Sequence, residues 1–125
     1  MIKLTFFIRR HPDWSQEDFA AYWRDNHAPL IARHAPAFGI RRYVQTHPVP
    51  SPDGPPPDDE SGKYDGMAEL WFASRRQLEL WFRNTTPETA EAGREIRADE
   101  RKFIDRANSP YLIGEEVIVV DGGRE

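Results

Sequence analysis

Residues 15–34 read SQEDFAAYWRDNHAPLIARH, and this stretch organises the rest of the chain. Phe19, Tyr22, Trp23, Leu30 and Ile31 recur at the three-and-four spacing of one helix face. His27 falls on that face, four residues after Trp23 and three before Leu30, and His34 follows seven residues later in the same phase. Pro29 has no N–H, so it frees the Asp25 carbonyl and steers Ala28 away from helical geometry. The expectation is a helix that breaks near Pro29 and ends by Pro36, with the His27 ring held in an apolar layer. An unperturbed imidazole titrates near neutral pH, which makes His27 the first candidate for general acid or base. The competing reading is a buried neutral histidine that caps the carbonyl freed at the break.

Working outward, Ile2, Leu4, Phe6 and Ile8 alternate with Lys3, Thr5, Phe7 and Arg9, the period of a strand. Ser15 and Asp18 then form a capping-box-like helix start. Residues 39–47 read as a second strand, 64–73 as a third with both faces covered, and 111–120 as a fourth. Ser74 caps a short helix carrying Leu78, Trp81 and Phe82 and stopped by Asn84. Thr86-Pro87-Glu88 starts another helix, interrupted at Gly93, with Ile96, Phe103 and Ile104 facing inward. Residues 48–63, PVPSPDGPPPDDESGK, form a Pro-rich loop that reads either as a surface linker or as a lid.

Strand, helix, strand, strand, helices, strand is the order of an α+β, ferredoxin-like fold, a four-stranded antiparallel sheet with helices on one face. Helices cover one face only, yet the third and fourth strands are apolar on both. An open apolar face calls for a partner, and a second copy related by a two-fold axis is the simplest.

With 125 residues, the chain reads as a single domain, 1–125. A formal net charge of −4 with interspersed signs gives no basic footprint for nucleic acid or an acidic membrane. The absence of cysteine removes disulfides and thiolate chemistry, and no stretch approaches a membrane span. A soluble cytoplasmic protein follows as the expectation. His27 and His34 lie about 10 Å apart along a helix, too far to share an ion, and no HxH or HExxH spacing occurs, so no metal site is predicted. No Gly-x-Ser-x-Gly elbow and no glycine-rich phosphate loop are present.

Tyr43, on the strand bordering the central helix, is a candidate donor to a developing enolate or phenolate, against the alternative of simple packing. Glu69, set among Met67 and Trp71, is a candidate to orient His27 or move a proton, or else to pair with Arg41 or Arg42. Asp65, at a strand end, reads as solvated. His34 either lines the mouth of a pocket or ends the helix. Phe19, Trp23, Trp71, Trp81 and Phe82 are candidate walls for a flat ring substrate, or plain core.

Phe19-x-x-Tyr22-Trp23-x-x-x-His27-x-Pro29-Leu30, followed by Gly66-Met67-Ala68-Glu69-Leu70-Trp71-Phe72, resembles the EthD family of dimeric ferredoxin-like α/β barrels. Relatives of that family include tetracenomycin-type polyketide cyclases, fungal polyketide dehydratases and methylmuconolactone methyl-isomerase. The resemblance covers nearly the whole chain. It implies a homodimer, a small-molecule substrate between sheet and helices, and catalysis without metal or organic cofactor. It places a histidine at the position of His27. The resulting expectation is isomerisation, dehydration or cyclisation of a small cyclic, aromatic or polyketide-like compound. Alternatives are a haem-handling or cofactor-independent monooxygenase of the wider barrel group, and a non-catalytic ligand carrier.

Overall fold

Leu4 and Ile8 point into the core from β1 (Ile2–Ile8), the first strand of a computed structural model that describes residues 1–54 and 64–123. With β2 (Ile40–Thr46), β3 (Gly66–Phe72) and β4 (Tyr111–Glu115) it forms one antiparallel sheet in the order β2-β3-β1-β4. Register pairs Leu4 with Leu70, Phe6 with Ala68 and Ile8 with Gly66. Side chains alternate across a strand, so these residues share one face, while Lys3, Glu69 and Trp71 stand on the other. The architecture is α+β and ferredoxin-like, as the element order predicts.

Helices α1 (Gln16–Tyr22), α2 (Ala28–Phe38), α3 (Arg75–Arg83) and α4 (Pro87–Phe103) complete the fold. Three starts are chemically marked: Ser15, Ser74 and Thr86 each accept a first-turn backbone N–H, and Thr86 with Thr89 closes a reciprocal box. Phe103 is fully buried, its ring 5.6 Å from Phe19, 5.0 Å from Tyr22 and 5.0 Å from His27. Burying one such ring stabilises by about 2–3 kcal/mol. Gly66 allows a close approach of Trp23 to the sheet, since a Cβ there would stand 2.4 Å from the Trp23 ring.

Several local expectations need correction. The helix does not break at Pro29, because Ala28 stays helical at φ −58°, ψ −45°. Instead residues Trp23–His27 widen into a π-turn, and the Ala28 N–H reaches the Trp23 carbonyl. Widening the turn gives the proline ring room without ending the helix. α2 then runs through Pro36 to Phe38 and is capped by Gly39 at φ 70°, a left-handed geometry that glycine adopts freely. Gly93 does not interrupt α4; the cost of a helical glycine is about 1 kcal/mol, and a Cβ would come 2.7 Å from the Asn84 side chain.

The fourth strand stops at Glu115 rather than at residue 120. β1 begins at Ile2, which pairs with Glu115, so β1 offers no further residues against which the strand can lengthen. A bulge between Ile40 and Arg42 shifts the register of β2, so that Ile40 and Tyr43 pair with Phe72 and Leu70 and share one face. Asp65 is buried rather than solvated, accepting from the Arg10 backbone N–H at 2.9 Å and from its guanidinium at 2.8 Å. Of the Pro-rich loop, residues 55–63 lie outside the described residues, and the lid reading lies there with them.

Candidate functional site

The helix-covered face of the sheet does not close completely. A cavity of about 520 Å³ remains, floored by Phe6, Ile8, Tyr43, Ala68 and Leu70 and walled by Trp23, His27 and Ile31. α4 supplies Gly93, Ile96, Arg97 and Glu100 to the same space, all on one helix face, and Ile104, the extended residue just past its end, joins them. Phe82, Arg106 and Tyr111 line it while remaining exposed, which marks its open side.

The π-turn delivers His27 into this cavity 3% exposed, against α4. Its Nδ1 lies 2.8 Å from Asp99 Oδ2. The Tyr22 hydroxyl donates to the other Asp99 oxygen, and Lys102 Nζ stands 3.7 Å from that same oxygen. An ionised carboxylate only accepts, so Asp99 takes the Nδ1–H and leaves Nε2 with a free lone pair. That lone pair faces Glu100 Oε2 at 3.9 Å. The other Glu100 oxygen stands 3.9 Å from Arg106 Nε.

Burial sets the protonation states. It pushes the His27 pKa below the usual imidazole value, with Asp99 partly opposing the shift. It pushes Glu100 up to about 7, despite the opposing pull of Arg106 and Arg97. Near neutral pH the cavity therefore holds a neutral imidazole base beside a carboxyl group poised between its two forms. Tyr43 is raised to about 12, again by burial, with Gln45 and Trp23 easing the shift, so it stays a phenol. Gln45 Nε2 donates to the Tyr43 oxygen at 3.0 Å and to the Trp23 carbonyl at 3.0 Å, which leaves the phenolic proton available. The Trp23 indole N–H, buried in the wall, has no well-aligned acceptor among the described residues.

Of the residues singled out from sequence, His27, Tyr43, Trp23, Trp81 and Phe82 come together at the cavity. Four others do not. Glu69 is on the opposite sheet face, paired with Lys3 Nζ at 2.8 Å rather than with Arg41 or Arg42, and it cannot orient His27. Trp71 shares that face, with the Arg42 guanidinium 4.9 Å above its ring and its N–H donated to Glu116 at 2.8 Å. Phe19 is core, 5.5 Å from the Trp23 ring. His34 bonds Glu95 at 2.8 Å, outside the cavity. Sequence reasoning missed Asp99 and Glu100, although both lie in helical phase with Ile96 and Phe103. Among the described residues, no group of three or more His, Asp or Glu side chains is arranged to hold a metal ion.

A family profile described as the EthD domain matches residues 11–107, which is most of the chain. The chain belongs to the EthD family. A relative within the family's reach is the conidial pigment biosynthesis dehydratase EthD of Metarhizium robertsii, 27% identical over 120 residues, covering 91% of this chain and 81% of that protein. Among solved structures, an EthD family protein from Bacillus halodurans is 28% identical. It has a TM-score of 0.64 and covers 94% of this chain and 99% of its own. A dimeric protein of unknown function and ferredoxin-like fold from Bacteroides fragilis shares the fold at 12% identity, with a TM-score of 0.59 over 92% of this chain and 95% of its own. No helix among the described residues is long and apolar enough to cross a membrane.

Proposed function

We propose that the protein is a proton-transfer enzyme acting on a small cyclic, aromatic or polyketide-like carbonyl compound, with dehydration the reaction its cavity suits best. The observation that carries this reading is the pairing of His27 Nε2 with Glu100 Oε2 at 3.9 Å inside an apolar cavity. A buried neutral base and a buried protonated acid side by side are the equipment for removing water next to a carbonyl.

In this mechanism His27 Nε2 takes the proton α to the carbonyl. The electron pair forms the C=C bond as the β C–O bond breaks, and Glu100 gives its proton to the departing hydroxyl, releasing water. The imidazolium and carboxylate left behind face each other, so one proton passing from His27 to Glu100 restores both. Asp99 holds the imidazole orientation and stabilises its charged form, while Tyr43 and the Trp23 N–H offer donors for the developing oxyanion. Isomerisation or aldol-type cyclisation uses the same base and donors. The name of the Metarhizium relative, a dehydratase, supports the choice of dehydration. Incubation with a panel of β-hydroxy aryl ketones, read by mass spectrometry, tests it: loss of one water from a panel member is expected. Ligand binding without any turnover would favour a carrier instead.

The proposal includes a homodimer. Leu112, Val117, Ile118, Val119 and Val120 are between 62% and 87% exposed, more apolar surface than an isolated small domain ordinarily leaves in water. The Bacteroides fragilis neighbour is described as dimeric. Light scattering after size exclusion is expected to give twice the chain mass of 14.5 kDa; a monomer at micromolar concentration would contradict it.

A further inference from the structure

We infer that the substrate carries a permanent anionic oxygen group, a carboxylate on a flat apolar body, and that Arg97 and Arg106 hold it at the open side of the cavity. The inference rests on the cavity being the substrate site and names the class of molecule it takes. The chain as a whole carries net charge −4, yet both arginines lining this apolar space are cations, and their charges are poorly compensated. Arg97 has no ion pair with a carboxylate among the described residues. Its Nη1 reaches instead the Asn84 side-chain oxygen at 2.8 Å, with the amide oriented so that its nitrogen donates to the Thr89 carbonyl at 3.2 Å. Asn84 itself is fixed in left-handed geometry, φ 52°, at the end of α3. A neutral amide so placed orients a guanidinium without neutralising it, and no carboxylate among the described residues takes the remaining N–H groups, whose geometry suits a carboxylate fork.

Arg106, on the short 3₁₀ turn Arg106–Asn108, meets no carboxylate among the described residues other than Glu100, which stands at 3.9 Å, beyond hydrogen-bond distance. When Glu100 carries the proton it gives to the leaving group, even that compensation is gone. The other carboxylate nearby, Asp99, is already engaged by His27, Tyr22 and Lys102. Two cations therefore face one cavity whose remaining lining is largely apolar, an arrangement that favours an anion over its neutral isostere. Glu100 lies between Arg106 and His27, so a carboxylate seated at Arg106 brings the adjoining carbons to the proton-transfer pair.

Anthraquinone-2-carboxylate and anthraquinone-2-carboxamide, identical in shape and differing in charge, are suitable probes. Quenching of the fluorescence of Trp23 and Trp81, both in the cavity wall, reads their binding. The carboxylate is expected to bind at least about tenfold more tightly than the amide at low salt, and less so as salt rises. In the Arg97→Gln, Arg106→Gln double variant that preference is expected to vanish while amide affinity is retained, which also reports an intact cavity. Equal affinities in the native protein would overturn the inference, whatever the variant does. So would a carboxylate preference that survives the double substitution. Binding is read without turnover, so failure of the proton-transfer mechanism and failure of this inference are separate results.

Discussion

Glu100→Gln is expected to make the protein more stable at pH 8 and at the same time nearly unable to expel water from its substrate. Burial raises the Glu100 pKa from 4.5 to about 7 in the folded chain. The folded state therefore binds a proton more tightly than the unfolded one. Stability from this group is fully present below about pH 4.5 and is lost as pH rises through about 7. Each pH unit between the two values is worth about 1.4 kcal/mol, and with the side chain 20% exposed the loss is of order 1–3 kcal/mol. Glutamine keeps the shape and carries no charge to desolvate. Urea unfolding of both proteins should show a gap in favour of the variant that opens between pH 5 and pH 8. A constant gap across that range would mean that Glu100 is not held protonated by burial. The same substitution removes the proton donor, with an expected rate loss of about 10²–10⁴-fold.

His27→Asn carries the second large effect, again about 10²–10⁴-fold in rate, for the opposite reason: an amide is no base at neutral pH. Asparagine retains a donor for Asp99, which spares the buried carboxylate an unpaired state and keeps the variant foldable. The two groups together predict a narrow bell in the pH dependence of kcat/KM. Its acid limb follows His27, which must be neutral and titrates below its usual value. Its alkaline limb follows Glu100, which must be protonated and loses its proton near 7. A profile flat between pH 5 and 9 would exclude this pair as the catalytic groups.

The helix-building and strand-building signals of this chain are local, and that is why the element order and the ferredoxin-like fold are legible from sequence. Ser15, Ser74, Thr86, Gly39 and Asn84 each act through backbone groups within a few residues. His27 is legible because its phase with Trp23 and Leu30 betrays a buried imidazole. Its partner is harder. Asp99 and Glu100 sit in the charged run ADERK, where composition suggests a solvated helix face, and only their spacing from Ile96 and Phe103 shows that they point inward. Glu69 misleads for the converse reason: a carboxylate among apolar residues signals burial, but period two puts it on the sheet face away from His27. Pro29 misleads because a helix can absorb a proline by widening one turn, an option that pattern reading does not register. The end of β4 depends on where its neighbour begins, which apolar content alone does not reveal.

Proton transfer by His27 is tested most directly by solvent-deuterium incorporation followed by NMR. Muconolactone-like and aromatic polyketide-like carbonyl compounds would be incubated in heavy water with the native protein, His27→Asn and Glu100→Gln. The account predicts label at the carbon α to the carbonyl with native protein. It predicts none with His27→Asn, and label without water loss with Glu100→Gln, because the base survives there and the acid does not. Exchange that persists undiminished in His27→Asn would contradict it.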